Sequence, residues 1–158
     1  MPRDPGARTA LPTRLDAAPE LHGLLVWQVA AQWQREVRPL LDDLGLTHAQ
    51  FALLRAAVGC GAADRQAAPV TQAQIAEAAH TDPVMTSEVL RTLEGKALVA
   101  RRAHPDDARA RRILVTAKGA ALAKRALAAV ATADGRYFGS GRPELKALAR
   151  ALKGIRAR

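Results

Sequence analysis

The stretch HPDDARARRILVT, residues 104–116, constrains the fold of this chain more than any other. A Pro-Asp-Asp turn runs into arginines alternating with aliphatic residues. Just before it stand residues 98–103, LVARRA, also apolar and basic. Turn chemistry between two such runs predicts two strands, 98–103 and 111–116, joined by a turn over 105–110. A hairpin this short, carrying arginine at its tip and on its sides, needs a chemical reason.

The rest of the chain reads as helix. Its 158 residues suit one domain with a real core. The apolar 49% is mostly Ala, Leu and Val with few β-branched runs, which favours helix. Aromatics make up 3%, so the core must be aliphatic and each Trp carries weight. The fold class expected is mainly α with a small β element.

Helix boundaries are legible in the caps. Pro19 and Glu20 suit a first turn, Pro by its fixed φ and Glu by its charge at the positive dipole end. The stripe Leu21, Leu25, Val29, Trp33, Val37, Leu40, Leu44 follows at helical spacing. Leu24 and Trp27 lie off it, so the helix is apolar on more than one side and is expected to bury one side against a partner chain. Pro39 is expected to kink or restart this helix. Thr47 and Gln50 form a T-x-x-Q capping box that opens a helix with Phe51, Leu54 and Val58. Residues 59–68 form a loop of small and polar residues. Thr71 and Gln74 form a second box, ahead of Ile75, Ala76 and Ala79.

His80-Thr81-Asp82-Pro83 ends that helix and starts another, with Asp82 as N-cap and Pro83 as first helical residue. Its inward side is Thr86, Leu90, Leu93 and, near the end, Ala97. From Ala117 a long Ala/Leu helix is expected, then a break over 135–141, then a last helix started by Pro143 and Glu144.

Two short helices joined by a tight turn, then a hairpin, make a winged helix-turn-helix. The second helix suits a DNA major groove, and an arginine-bearing hairpin suits the flanking minor groove, where negative potential is concentrated. The formal net charge of +9 agrees with an anionic partner. Opposite Leu90, the helix from Asp82 presents Val84, Met85, Glu88 and Thr92, flanked by Ser87 and Arg91. Arg91 has the fork for guanine, and Ser87 the hydroxyl for a base edge or phosphate. Glu88 either accepts from a cytosine amine or pairs with Arg91 or Arg55. Thr71 and Gln72, at a helix start, are phosphate candidates. Arg109 is the minor-groove candidate, with Arg111 and Arg112 touching phosphate and Asp107 orienting a neighbouring guanidinium.

Residues 46–119 resemble the MarR (multiple antibiotic resistance regulator) family. The matching pieces are LTHAQFALLRA and VTQAQIAEAAHTDPVMTSEVLRTLEGKALVARRAHPDDARARRILVTAKG. The family pattern of D-x-R in the wing followed by Leu-x-Thr-x-x-Gly is filled by Asp107, Arg109, Thr116 and Gly119. Ala97 stands where the family usually has glycine, and Glu88 where it often has a basic or amide residue. The resemblance implies a homodimeric regulator, expected to be a repressor, that binds pseudo-palindromic double-stranded promoter DNA. The composition of residues 1–18 reads as a disordered tail, and the resemblance implies a dimerisation region formed by residues 19–45 and 117–158, around a DNA-binding region 46–116. It also implies a small aromatic effector between the dimer helices and the winged region, for which His22, Trp27, Trp33 and Phe51 are candidates.

The alternatives are a nonspecific architectural DNA binder or a winged helix for protein contacts. An enzyme is not expected: no Gly-rich loop follows a strand, no G-x-S-x-G occurs, and GCGAAD follows a helix. No cofactor is called for. His22, His48, His80 and His104 have no metal spacing with Cys60, the lone cysteine. A redox role for Cys60 needs a lowered thiol pKa, and only Arg55 and Arg65 lie near it in sequence. No apolar run approaches the roughly 20 residues of a membrane span and the N-terminus has no signal-like apolar segment, so a cytoplasmic protein is expected.

Overall fold

A computed structural model describes residues 21–64, 68–103 and 111–156. The expected tail, the start signals Pro19 and Glu20, and the wing turn with Asp107 and Arg109 lie outside the described residues. Helix α1, His22–Asp42, begins after an extended Leu21 that supplies no side-chain cap. The restart expected at Pro39 does not occur, and α1 runs through it. Pro39 sits in the last turn, where only one backbone hydrogen bond is forfeited.

The three central helices start where their caps place them. In α2, His48–Gly59, the Gln50 N–H donates to Thr47 Oγ1 at 3.2 Å and the Thr47 N–H to Gln50 Oε1 at 3.3 Å. Helix α3, Gln72–Ala79, repeats the box with Thr71 and Gln74. Helix α4, Pro83–Gly95, has Asp82 Oδ1 accepting from the Met85 N–H at 2.8 Å. Each such cap is worth about 1 kcal/mol.

The sheet has one more strand than the sequence suggested. Strands β1 (Val70–Thr71), β2 (Val99–Ala103) and β3 (Arg111–Val115) lie antiparallel in the order β1-β3-β2. Two residues carry no readable periodicity, so β1 was not visible in the sequence. Leu98 and Thr116 fall outside the strands. The Leu98 N–H closes onto Leu93 O at 2.9 Å, and Thr116 caps the next helix.

Helix α5, Ala117–Phe138, is longer than expected, and α6 is Pro143–Arg156. The break is 139–142, not 135–141. Gly135 stays helical, and its missing Cβ leaves room for Ser140, whose hydroxyl donates to Gly135 O at 3.3 Å.

The core fills the space between α1, α2, α3, α4, α5 and the sheet. Val37, Leu41, Leu53, Leu54, Ile75, Leu90, Leu93 and Ile113 are fully buried, each adding about 1.5–3 kcal/mol of apolar burial. Helix α5 contributes Ala123, Ala126 and Ala133, whose small side chains suit close helix packing. The first two turns of α1 and nearly all of α6 stay outside this core. Leu21, Leu24, Leu25, Val26 and Trp27 are exposed, as are Leu148, Leu152 and Ile155.

Candidate nucleic-acid interface

Helix α4 has one side for the core and one for solvent. Thr86, Leu90 and Leu93 are buried. The Thr86 hydroxyl donates to Asp82 O at 2.8 Å and shares a second 2.8 Å hydrogen bond with the Thr81 hydroxyl. That satisfies a buried polar group and fixes the entry of α4. On the outer side Val84 is 69% exposed, and Glu88, Arg91 and Thr92 are exposed beside half-buried Met85 and Ser87. Among the described residues Glu88 forms no ion pair with Arg91 or Arg55. The Thr92 hydroxyl donates to Glu88 O at 3.1 Å.

Thr71 and Gln72 sit at the start of α3, but their side chains are occupied. The Thr71 hydroxyl accepts from the Gln74 N–H and donates to Gln74 Oε1 at 3.1 Å. The Gln72 amide donates to Pro83 O at 3.3 Å, tying the starts of α3 and α4. What this helix start offers an anion is its first-turn backbone N–H groups. On the wing, Arg111 is exposed and Arg112 half-buried.

The sequence reading missed the pair that joins α4 to the wing. Glu94 Oε1 accepts from the Arg101 backbone N–H at 3.0 Å, and Glu94 Oε2 lies 3.5 Å from Arg101 Nε. Arg101 Nη2 reaches back to donate to Ser87 O at 3.1 Å. One arginine on β2 thus holds the early and late turns of α4. Arg101 stands in LVARRA, but its partnership with Glu94 needs the fold.

Thr116 and Gly119 have structural roles. The Thr116 hydroxyl donates to Ala97 O at 2.8 Å and accepts from the Gly119 N–H at 3.0 Å. A Cβ on Gly119 would lie 2.0 Å from Leu98 O, so only glycine lets α5 approach the α4–β2 connection. Ala97 in that connection has φ +57, a left-handed conformation that costs a non-glycine residue about 1–2 kcal/mol.

The four effector candidates are not gathered into one site. Phe51 is 7% exposed within the core, Trp27 is 66% exposed, and His22 is exposed at the start of α1. Trp33 is half-buried and lines an apolar groove of about 420 Å³ with Val29, Phe138 and Leu148. Its ring meets His48 edge-on at 5.8 Å. His48, read from sequence only as part of a capping box, borders a second cavity of about 370 Å³ with Arg38 and Asp42. Burial first, and then the Arg38 charge, lower its pKa against an opposing effect of Asp42. Trp33 Nε1 and His48 Nε2 are both buried without a hydrogen-bond partner.

Cys60 is half-buried, its thiol 3.9 Å from Gln74 O. Among the described residues no group of three or more His, Cys, Asp or Glu is placed to hold a metal. Among them, too, no helix is long and apolar enough to cross a membrane.

Residues 64–110 match the MarR family model. The solved structure of the Mycobacterium tuberculosis MarR family protein Rv2887, in complex with salicylic acid, is 34% identical. The match covers 88% of this chain and 98% of that one, with a TM-score of 0.66. This chain belongs to the MarR family. It is a transcriptional regulator of the winged-helix type, in a family of regulators and not of enzymes. CouR from Rhodococcus jostii RHA1, solved bound to p-coumaroyl-CoA, is 29% identical over 85% of this chain and 90% of its own, with a TM-score of 0.69. An uncharacterized HTH-type transcriptional regulator of Bacillus subtilis (strain 168), YdcH, is 40% identical over 77 residues. That match spans 49% of this chain and half the length of the curated relative.

Proposed function

We propose that this chain is a homodimeric, ligand-responsive repressor that binds a pseudo-palindromic promoter site in the cytoplasm. The observation that carries the reading is the outer side of α4. Val84, Glu88, Arg91 and Thr92 stand clear of the core on a helix whose other side is locked, next to a basic wing. Arg91 is the guanine reader, Ser87 bonds a base edge or phosphate, and Glu88, unpaired among the described residues, accepts from a cytosine amine. Arg109 enters the minor groove, and Arg111, Arg112 and the start of α3 at Thr71 and Gln72 hold phosphates.

The exposed apolar residues of α1 and α6 support a second copy as the missing partner. A dimer carries 2 × 9 = +18 formal charge, and its half-sites lie about 10 bp apart. The effector reading rests on two buried nitrogens without partners: His48 Nε2, whose ring borders the Arg38 cavity, and Nε1 of Trp33, which lines the apolar groove. Salicylic acid in the Rv2887 structure supports an aromatic acid as its class.

The test is fluorescence anisotropy with the DNA upstream of the protein's own gene, against random DNA of equal length. A preference of about a thousandfold or more near physiological salt is expected, with release by aromatic acids. Tight binding without preference would instead establish the architectural alternative.

A further inference from the structure

We infer that Lys96 and Lys118 clamp the exit of α4 to the terminal helices and thereby set the half-site spacing that two joined copies accept. Neither residue is assigned to the DNA surface. The inference rests on the dimeric DNA-binding reading above and makes the two lysines positioning residues within it.

Helix α4 packs on α2, α3 and β2. Its polar ties to the α1–α2 corner and to α5 gather where it ends, at residues 96–98. Lys96 is the C-cap of α4. Its ammonium donates to Gly45 O at 2.7 Å and to Gln50 Oε1 at 2.8 Å. Gly45 lies just past the end of α1, with φ +66. Gln50 is buried, and the same Oε1 accepts the Thr47 N–H of the α2 capping box. One side chain thus joins α4 to the corner between α1 and α2. From the other direction, the Lys118 ammonium on α5 donates to Lys96 O at 3.0 Å. Beside it, the Thr116 hydroxyl donates to Ala97 O at 2.8 Å and the Thr116 N–H to Leu98 O at 3.0 Å. Both lysines are exposed, yet they donate to carbonyl oxygens: among the described residues neither forms an ion pair. Their charges also suit the negative dipole ends of α1 and α4.

The length of α4 gives this joint leverage. With 13 residues, the helix is about 20 Å long. A tilt of about 10° at its exit moves its start by about 3.4 Å, the rise of one base pair. In a dimer joined through α1 and α6, the separation of the two α4 helices depends on how each is held to α1 and α5. A joint tied from both directions keeps that separation fixed. A loose one lets each α4 follow half-sites at other spacings.

The test uses the full chain carrying Lys96→Met, Lys118→Met or both, with Lys96→Arg as the variant that keeps donors at the α1–α2 corner. Each is titrated with a footprinted promoter fragment, with that fragment lengthened or shortened by one base pair between half-sites, and with a fragment holding a single half-site. In the wild type, altered spacing is expected to weaken binding about tenfold or more, the scale of one mismatched base pair. In the double Met variant that penalty should fall to a few-fold. Its single-half-site affinity and its slope of log K against log salt should stay those of the wild type. Lys96→Arg should keep the wild-type penalty. An undiminished penalty in the double variant, or a wild type indifferent to spacing, would overturn the clamp while leaving the dimer intact. An equal loss on half-site and full-site DNA would also overturn it, by showing that the lysines shape α4 itself. A shallower salt slope would do the same, by making them phosphate contacts. One wild-type chain per site in sedimentation would remove the dimeric reading and this inference with it.

Discussion

The winged centre and the terminal helices obey opposite rules. Between Leu46 and Gly119 the helix starts are capped and the buried apolar residues meet one another within the chain. In α6 and the first turns of α1, the apolar side chains are as large but meet solvent: Trp27 and Ile155 are each 66% exposed. The difference teaches where the fold is self-sufficient. The centre is closed by its own sequence, whereas the ends form an apolar surface of the kind that marks an interaction site.

This comparison breaks first at Gly119. Gly119→Ala places a methyl against Leu98 O, and a loss of about 3 kcal/mol in urea unfolding is expected. A loss under about 1 kcal/mol would show that α5 is not held at that distance. At the ends, Leu25→Asp with Leu152→Asp should leave the centre folded and convert a dimer into monomers in sedimentation equilibrium. Each carboxylate would have to enter an apolar interface, a penalty of about 2 kcal/mol or more. Unchanged mass would remove the dimer surface from α1 and α6.

Smaller changes sharpen the same contrast. Arg101→Met should cost about 1 kcal/mol of stability and reduce discrimination between promoter and random DNA more than it reduces nonspecific affinity. An equal loss on both DNAs would mean that Arg101 does not position α4. Ala97→Gly should stabilise the protein by up to about 1 kcal/mol in the same urea assay, because glycine relieves the left-handed strain but loosens the unfolded chain. A destabilised variant would contradict the strain.

The smallest effect is at His48. Its pKa is lowered from 6.5 in the folded protein, so the unfolded chain binds the proton more readily. Its contribution is therefore fully present above 6.5 and is lost as pH falls below it. His48→Gln should flatten that decline, and a parallel decline in both proteins would place the titration elsewhere.

The closed centre was largely legible from sequence because its signals are local. Thr47 with Gln50, Thr71 with Gln74 and Asp82 with Pro83 each announce a helix start within four residues. The hairpin was legible from its basic alternation. What stayed hidden depends on distant partners. Strand β1 exists only because Val70 meets Ile113, and Arg101 holds α4 only because the wing folds beside it. Gly135 reads as a helix breaker, yet α5 runs through it and Ser140 closes onto its carbonyl. The surroundings of the effector candidates depend on elements distant in sequence. Phe51 went to the core, and Trp33 found His48. The two-sided character of α1 was visible throughout, yet the side chains that would cover it belong to no element described in this chain.

The most direct measurement is the mass of the protein–DNA complex by analytical ultracentrifugation on a footprinted promoter fragment. Two chains per site, on half-sites about 10 bp apart, are expected if the centre reads DNA and the ends join copies. One chain per site, with full promoter preference, would contradict the account.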